Sequence, residues 1–89
     1  MASLKGRFLW SRHALREAIE GGLRPSEVEK ALSRCMIMES GLGKEKAVCT
    51  IGAIYCTAIF VRMKFGIKII TCWRSSSWEM EAYDSEVRK

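Results

Sequence analysis

The apolar residues of this chain change their period once, near residue 35, and that change confines the fold. From Ser11 to Arg34 they recur at intervals of three and four, the spacing of one helix face. From Cys35 onward they alternate or run together as β-branched and aromatic residues. Helical and strand periods in separate blocks exclude an all-helical or all-strand chain. They also lack the strand–helix alternation of a parallel sheet. The expected class is α+β.

The helical block divides in two. Ser11 is placed to cap a first helix, its hydroxyl accepting from a backbone N–H, and Leu15, Ala18 and Ile19 repeat along one face. Gly21-Gly22 ends it. Ser26, with Glu29 three residues on, spells a capping box just after Pro25, and Val28, Ala31 and Leu32 form the stripe of a second helix. Residues 11–34 therefore read as a helical hairpin. The segment Leu4 to Trp10 reads either as an edge strand or as a strap over the core. Strand runs follow at Cys35 to Glu39, Lys46 to Ile51, Ile54 to Lys64 and Ile67 to Arg74, divided by Gly41-Leu42-Gly43, Gly52-Ala53 and Phe65-Gly66. Links this short predict a four-stranded antiparallel sheet. After Ser75-Ser76-Ser77, Trp78 to Tyr83 predicts a short C-terminal helix. Eighty-nine residues hold one domain, 1–89.

Alternation sorts the strand residues. Tyr55, Thr57, Ile59, Val61, Met63 and Phe65 share one face, the one expected to carry the hairpin. Arg62 and Lys64 lie opposite, and Lys68 and Arg74 share a face of the last strand. If the two faces match across the turn, these four cations gather on one sheet face near Trp78 and Tyr83. Such a face suits RNA, cations meeting phosphates and rings meeting unstacked bases; it equally suits the solvated side of an antiparallel sheet.

The formal charge is +5. In residues 79–89, four carboxylates oppose two cations, leaving −2 there and +7 on the rest of the chain. A basic body points to an anionic partner, nucleic acid first. The acidic tail is a candidate cover for the basic face. Cys35, Cys49, Cys56 and Cys72 contain no closely spaced pair, and His13 is the only histidine, so the spacing predicts no metal site and no cofactor. With no secretory start, the four are expected to be buried thiols of a cytoplasmic protein. The longest uncharged run, Ala47 to Val61, is too short and too β-branched to span a membrane.

Ser11-Arg12-His13-Ala14-Leu15-Arg16, then Gly22-Leu23, then Ser26-Glu27-Val28-Glu29-Lys30-Ala31-Leu32, and finally Ile67-Lys68-Ile69-Ile70-Thr71-Cys72-Trp73 occur in an order that resembles a domain-of-unknown-function family. That family is placed in the RelE/ParE-like toxin superfamily, and the resemblance covers residues 10–83. It implies a relation to mRNA endonucleases acting free or on the ribosome, and a neutralising antitoxin as partner. Activity in the catalytic branch rests on basic sheet residues and a late Arg and Tyr. Lys64, Arg74 and Tyr83 are the positions that correspond, with Arg62 and Lys68 nearby. No histidine follows the sheet, as one does in some nuclease members.

Metal-free RNA cleavage needs a base for the ribose 2′-hydroxyl, an acid for the leaving oxygen and cations for the phosphorane charge. Arg74 and Lys64 are candidates for the cations, and Tyr83 or Glu79 for base or acid. His13 is either a proton-transfer group or a ring that fixes a helix against the sheet. Arg12 and Arg16 form a second basic patch or a solvated face. Two other readings compete with an RNA-cleaving toxin: a non-catalytic nucleic-acid or protein-interaction module, and a homodimer joined through the apolar part of the sheet.

Overall fold

The computed structural model describes residues 1–88. In chain order it contains β1 (Phe8–Trp10), α1 (Arg12–Glu20), α2 (Pro25–Ala31), β2 (Met36–Gly41), β3 (Lys44–Ile51), β4 (Ile54–Met63), β5 (Gly66–Arg74) and α3 (Ser77–Val87). The sheet has five strands in the order β1-β5-β4-β3-β2. β2 to β5 form the expected antiparallel meander. The fifth strand is the correction: β1 pairs parallel with β5 through Phe8, Leu9 and Trp10, making the sheet mixed. The N-terminal segment is thus both of its sequence readings. Residues 8–10 form an edge strand, while residues 2–4 strap the opposite side. Ala2 and Cys35 exchange backbone bonds of 2.8 Å, and Leu4 N–H reaches Leu32 O at 2.9 Å.

The two early helices lie on the sheet, α1 against β5 and α2 against β3, each packing more on its strand than on the other helix. Ser11 caps α1 as expected, accepting from Ala14 N–H at 3.0 Å. The face α1 buries is Ala14 and Ala18; Leu15 and Ile19 stay exposed. No capping box forms at Ser26. Pro25 opens α2 instead, and Glu29 accepts from Trp10 Nε1 at 2.7 Å, tying β1 to α2.

Directly paired residues in an antiparallel sheet point to the same side, so register assigns the faces. One face carries Ala47, Cys49, Cys56, Ala58, Phe60, Ile67, Ile69 and Cys72, and this is the face under α1, α2 and Leu4. The hairpin-bearing face expected from Tyr55, Thr57 and Ile59 is therefore the opposite one. The residues beneath the helices are mostly small, and small side chains let a helix approach a sheet closely. Met36, Val48 and Tyr83 form the second cluster, with Tyr55 against it, where α3 packs. Tyr55 donates to Asp84 Oδ1 at 2.7 Å, a bond that raises the phenol's pKa and pins α3 to β4. The acidic tail covers this side, where its Glu79 pairs with Lys46, and lies on the opposite face from Arg62 and Arg74. Among the described residues no helix is long and apolar enough to cross a membrane.

Candidate functional site

β1 pairs only with residues 67–69 of β5, which leaves the outer edge of β5 without a strand from Ile70 onward. α1 fills that edge with side chains acting as substitute ladder partners. Ser11 N–H donates to Ile69 O at 2.9 Å, and its hydroxyl donates to Ile70 O at 2.8 Å. Glu17 Oε1 accepts from Cys72 N–H at 3.2 Å and from the Thr71 hydroxyl. Arg74 Nε donates to Gly21 O at 2.8 Å, a cation at the negative end of α1.

On the solvent side of this seam stands His13. Its Nε2 lies 3.1 Å from Glu17 Oε1, with 67% of the imidazole side chain exposed. Three donors thus converge on one carboxylate oxygen, two from the sheet and one from the ring. The sheet fixes the carboxylate, and the carboxylate orients the exposed ring through Nε2. Arg16 follows one turn later on the same helix face and Arg12 precedes the histidine, both exposed. This is an imidazole held by an orienting carboxylate, with two exposed arginines on the same helix.

The four sheet cations do not assemble as one cluster. Arg62 and Arg74 share a face but sit at opposite ends of the β4–β5 pair, opposite Ile67 and Cys56 respectively. Arg62 is bound to Glu45 at 2.7 and 3.3 Å, which raises its pKa. Lys68 pairs with Val61 on the other face, and Lys64 lies in the β4–β5 turn. A register shift between Ile59 and Phe60 separates Lys68 from Arg74, because it opposes Thr71 to Ile59 and Ile69 to Phe60. Tyr83 is buried, its ring edge-on to Tyr55 at 5.7 Å, on the sheet face away from α1. Trp78 is half exposed on that same side. The structure therefore brings His13, Arg12 and Arg16 together along α1, places Arg74 at the far end of that helix, and separates Lys64, Tyr83 and Trp78 from them.

A second polar assembly lies at the start of α3, one member, Lys46, distant from the others in the sequence. Glu79 is 1% exposed and closes a capping box at the start of α3, accepting from Ser76 N–H at 2.9 Å. It also accepts from Trp73 Nε1 at 3.2 Å and pairs with Lys46 Nζ at 3.2 Å. Burial pushes this carboxyl's pKa up, but the bonds from Ser76, Trp73 and Lys46 outweigh it and hold the group below its ordinary value. Lys46 lies between two indoles, 4.6 Å from the Trp78 ring centre and 5.8 Å from that of Trp73. The Ser76-x-x-Glu79 spacing was the available signal. Glu17 was missed too, and only its four-residue separation from His13 hinted at it.

An α+β fold of this kind is one that a bacterial ribonuclease toxin adopts. The structure superposes on BrnT, the ribonuclease toxin of Brucella abortus, with a TM-score of 0.63 at 17% sequence identity, the match covering 82% of this chain and all of BrnT. No protein-family model matches the chain, and no curated protein matches it.

Proposed function

We propose that this protein is a small RNA-cleaving toxin of the RelE/ParE-like kind, with His13 as its general base. The observation that carries the reading is the ordered chain Thr71–Glu17–His13, which holds one exposed imidazole beside Arg12 and Arg16. The fold shared with BrnT and the sequence resemblance support it from outside the site. In the reaction, His13 Nδ1 takes the proton of a ribose 2′-hydroxyl, whose oxygen bonds to the adjacent phosphorus. The bond from phosphorus to the 5′-oxygen breaks, and that oxygen takes a proton from water. A 2′,3′-cyclic phosphate and a 5′-hydroxyl result. Arg12 and Arg16 meet the charge that builds on the phosphate. Arg74 holds a more distant phosphate from the far end of α1. The substrate is RNA, free or on the ribosome; the partner is a neutralising antitoxin, and the setting is the cytoplasm.

Incubation of the purified protein with RNA, followed by end-group analysis of the fragments, tests this. Wild type is expected to leave cyclic phosphate ends. His13→Ala is expected to cut about a hundredfold or more slowly, the usual contribution of a general base. His13→Ala cutting at the wild-type rate overturns the assignment.

A further inference from the structure

One pole of the sheet, where the N-terminal segment meets the β4–β5 turn, has features that neither the core nor ion pairing explains. Ile67 N–H donates to Arg7 O at 2.8 Å, and a methyl group on Gly66 would lie only 2.5 Å from that oxygen. Glycine at this position is what lets the two segments touch. Their meeting sets Lys5 and Arg7 beside Arg62, Lys64 and Phe65 around a groove of about 300 Å³. The carboxylate bonded to one of these cations, that of Glu45, is engaged by Arg62. Lys5, Arg7 and Lys64 have no carboxylate partner among the described residues. Phe65 stands at the turn with 82% of its surface in water, the Lys64 ammonium 5.4 Å from its ring centre.

We infer that this pole binds single-stranded RNA, Phe65 stacking on an unpaired base while Lys5, Arg7 and Lys64 contact the flanking phosphates. Every base offers a π-face to a free ring, and unpaired cations supply affinity for the backbone. A duplex keeps its bases stacked on one another, out of reach of one ring on a turn. A lipid surface would attract the same charges, but one exposed ring buries too little apolar area to anchor a protein there. The groove is separate from His13. Gly66 precedes Ile70, whose carbonyl receives the Ser11 hydroxyl at the start of α1, by four residues, or about 13 Å of strand. A strand held at Phe65 reaches the histidine within a few nucleotides. The inference that this pole anchors the strand to be cut rests on the proposed role of His13; the binding itself does not.

Fluorescence anisotropy with a labelled, unstructured RNA oligonucleotide, titrated at several salt concentrations, tests it. Phe65→Ala is expected to bind between about fivefold and a hundredfold more weakly at fixed salt. The double variant Lys5→Gln/Lys64→Gln is expected to reduce the slope of log K against log salt by about 1.4, at 0.7 per single-strand phosphate contact. These side chains are exposed, and thermal midpoints equal to wild type verify that each variant is folded. Unchanged binding by Phe65→Ala and by the double variant overturns the inference. So does duplex DNA that competes as well as the oligonucleotide, or binding to phosphatidylserine vesicles without binding to RNA. Loss of binding in Phe65→Ala with no cleavage by any variant sinks the nuclease reading and leaves the RNA site standing. Cleavage that depends on His13 with binding indifferent to Phe65 does the reverse.

Discussion

Gly66 has no side chain because the carbonyl of Arg7 occupies the space where one would begin. A Cβ there meets Arg7 O at 2.5 Å, a distance that only backbone movement relieves, so Gly66→Ala must push β1 away from the start of β5. The expected loss is about 1–3 kcal/mol of folding stability, read as a lower urea midpoint with an unchanged m-value. A midpoint equal to wild type would mean the N-terminal segment does not lie on this glycine in solution. Nothing in the sequence shows this contact, because Phe65-Gly66 has the composition of an ordinary turn. His13 was visible as the only imidazole of the chain. Its partner Glu17 was not distinguished from the other carboxylates of α1, since the bonds that single it out come from Thr71 and Cys72, more than fifty residues away.

Element by element, boundaries were more legible than faces. The glycines and the change of period place the strands of the meander to within about two residues, because turn chemistry and alternation are local properties. The faces are not local. An extra residue in β5 at the register shift moves Cys72 onto the side of Ile67 and Ile69 and Trp73 onto the side of Lys68, so simple alternation missorts the second half of the strand. The ends of α3 carry another consequence. Glu79 is charged, buried and held below its usual pKa, so the unfolded chain takes up its proton first as pH falls. Its contribution to stability is therefore complete above the unfolded value, about 4.3, and is lost as pH drops through the lower folded value. Glu79→Gln keeps the shape but not the charge. It should unfold at lower urea than wild type near neutral pH, and the gap should close as pH falls from about 5 to 2. A gap that stays constant across that range would show that the Lys46–Glu79 charge pair contributes nothing.

Across the whole molecule, the sheet is covered on both sides by layers of different character. α1, α2 and Leu4 press on a carpet of alanines and cysteines around Phe60, and α3 covers a smaller patch around Val48 and Tyr83. Large apolar residues suggested the opposite assignment, yet several of them lie at strand ends, half in water, as Met63 does. What the sequence did contain was the choice of cysteine as a small buried hydrophobe on β3, β4 and β5 and just before β2. All four thiols are free and buried, with Cys49 Sγ 3.2 Å from Cys56 Sγ across the β3–β4 pair. Burial pushes Cys35 up to about 11 and Cys72 up to about 12. Cys49 is raised as well, first by its hydrogen bond to Cys56 and then by burial. Cys56 moves the other way, its thiol lowered by the hydrogen bond to Cys49 against the opposing effect of burial. The thiolate is the reactive form, so at neutral pH Cys35, Cys49 and Cys72 lack both charge and access, and Cys56, fully buried, lacks access. Because they sit under both early helices, no single loop opening uncovers them, and labelling must wait for the sheet to come apart. A small thiol reagent should therefore leave the native protein essentially unmodified and label all four cysteines once denaturant unfolds it, with the onset of labelling following the unfolding transition. Rapid labelling of any one of them in native buffer would show that the helical layer opens independently of the sheet, and would count against a single cooperative core.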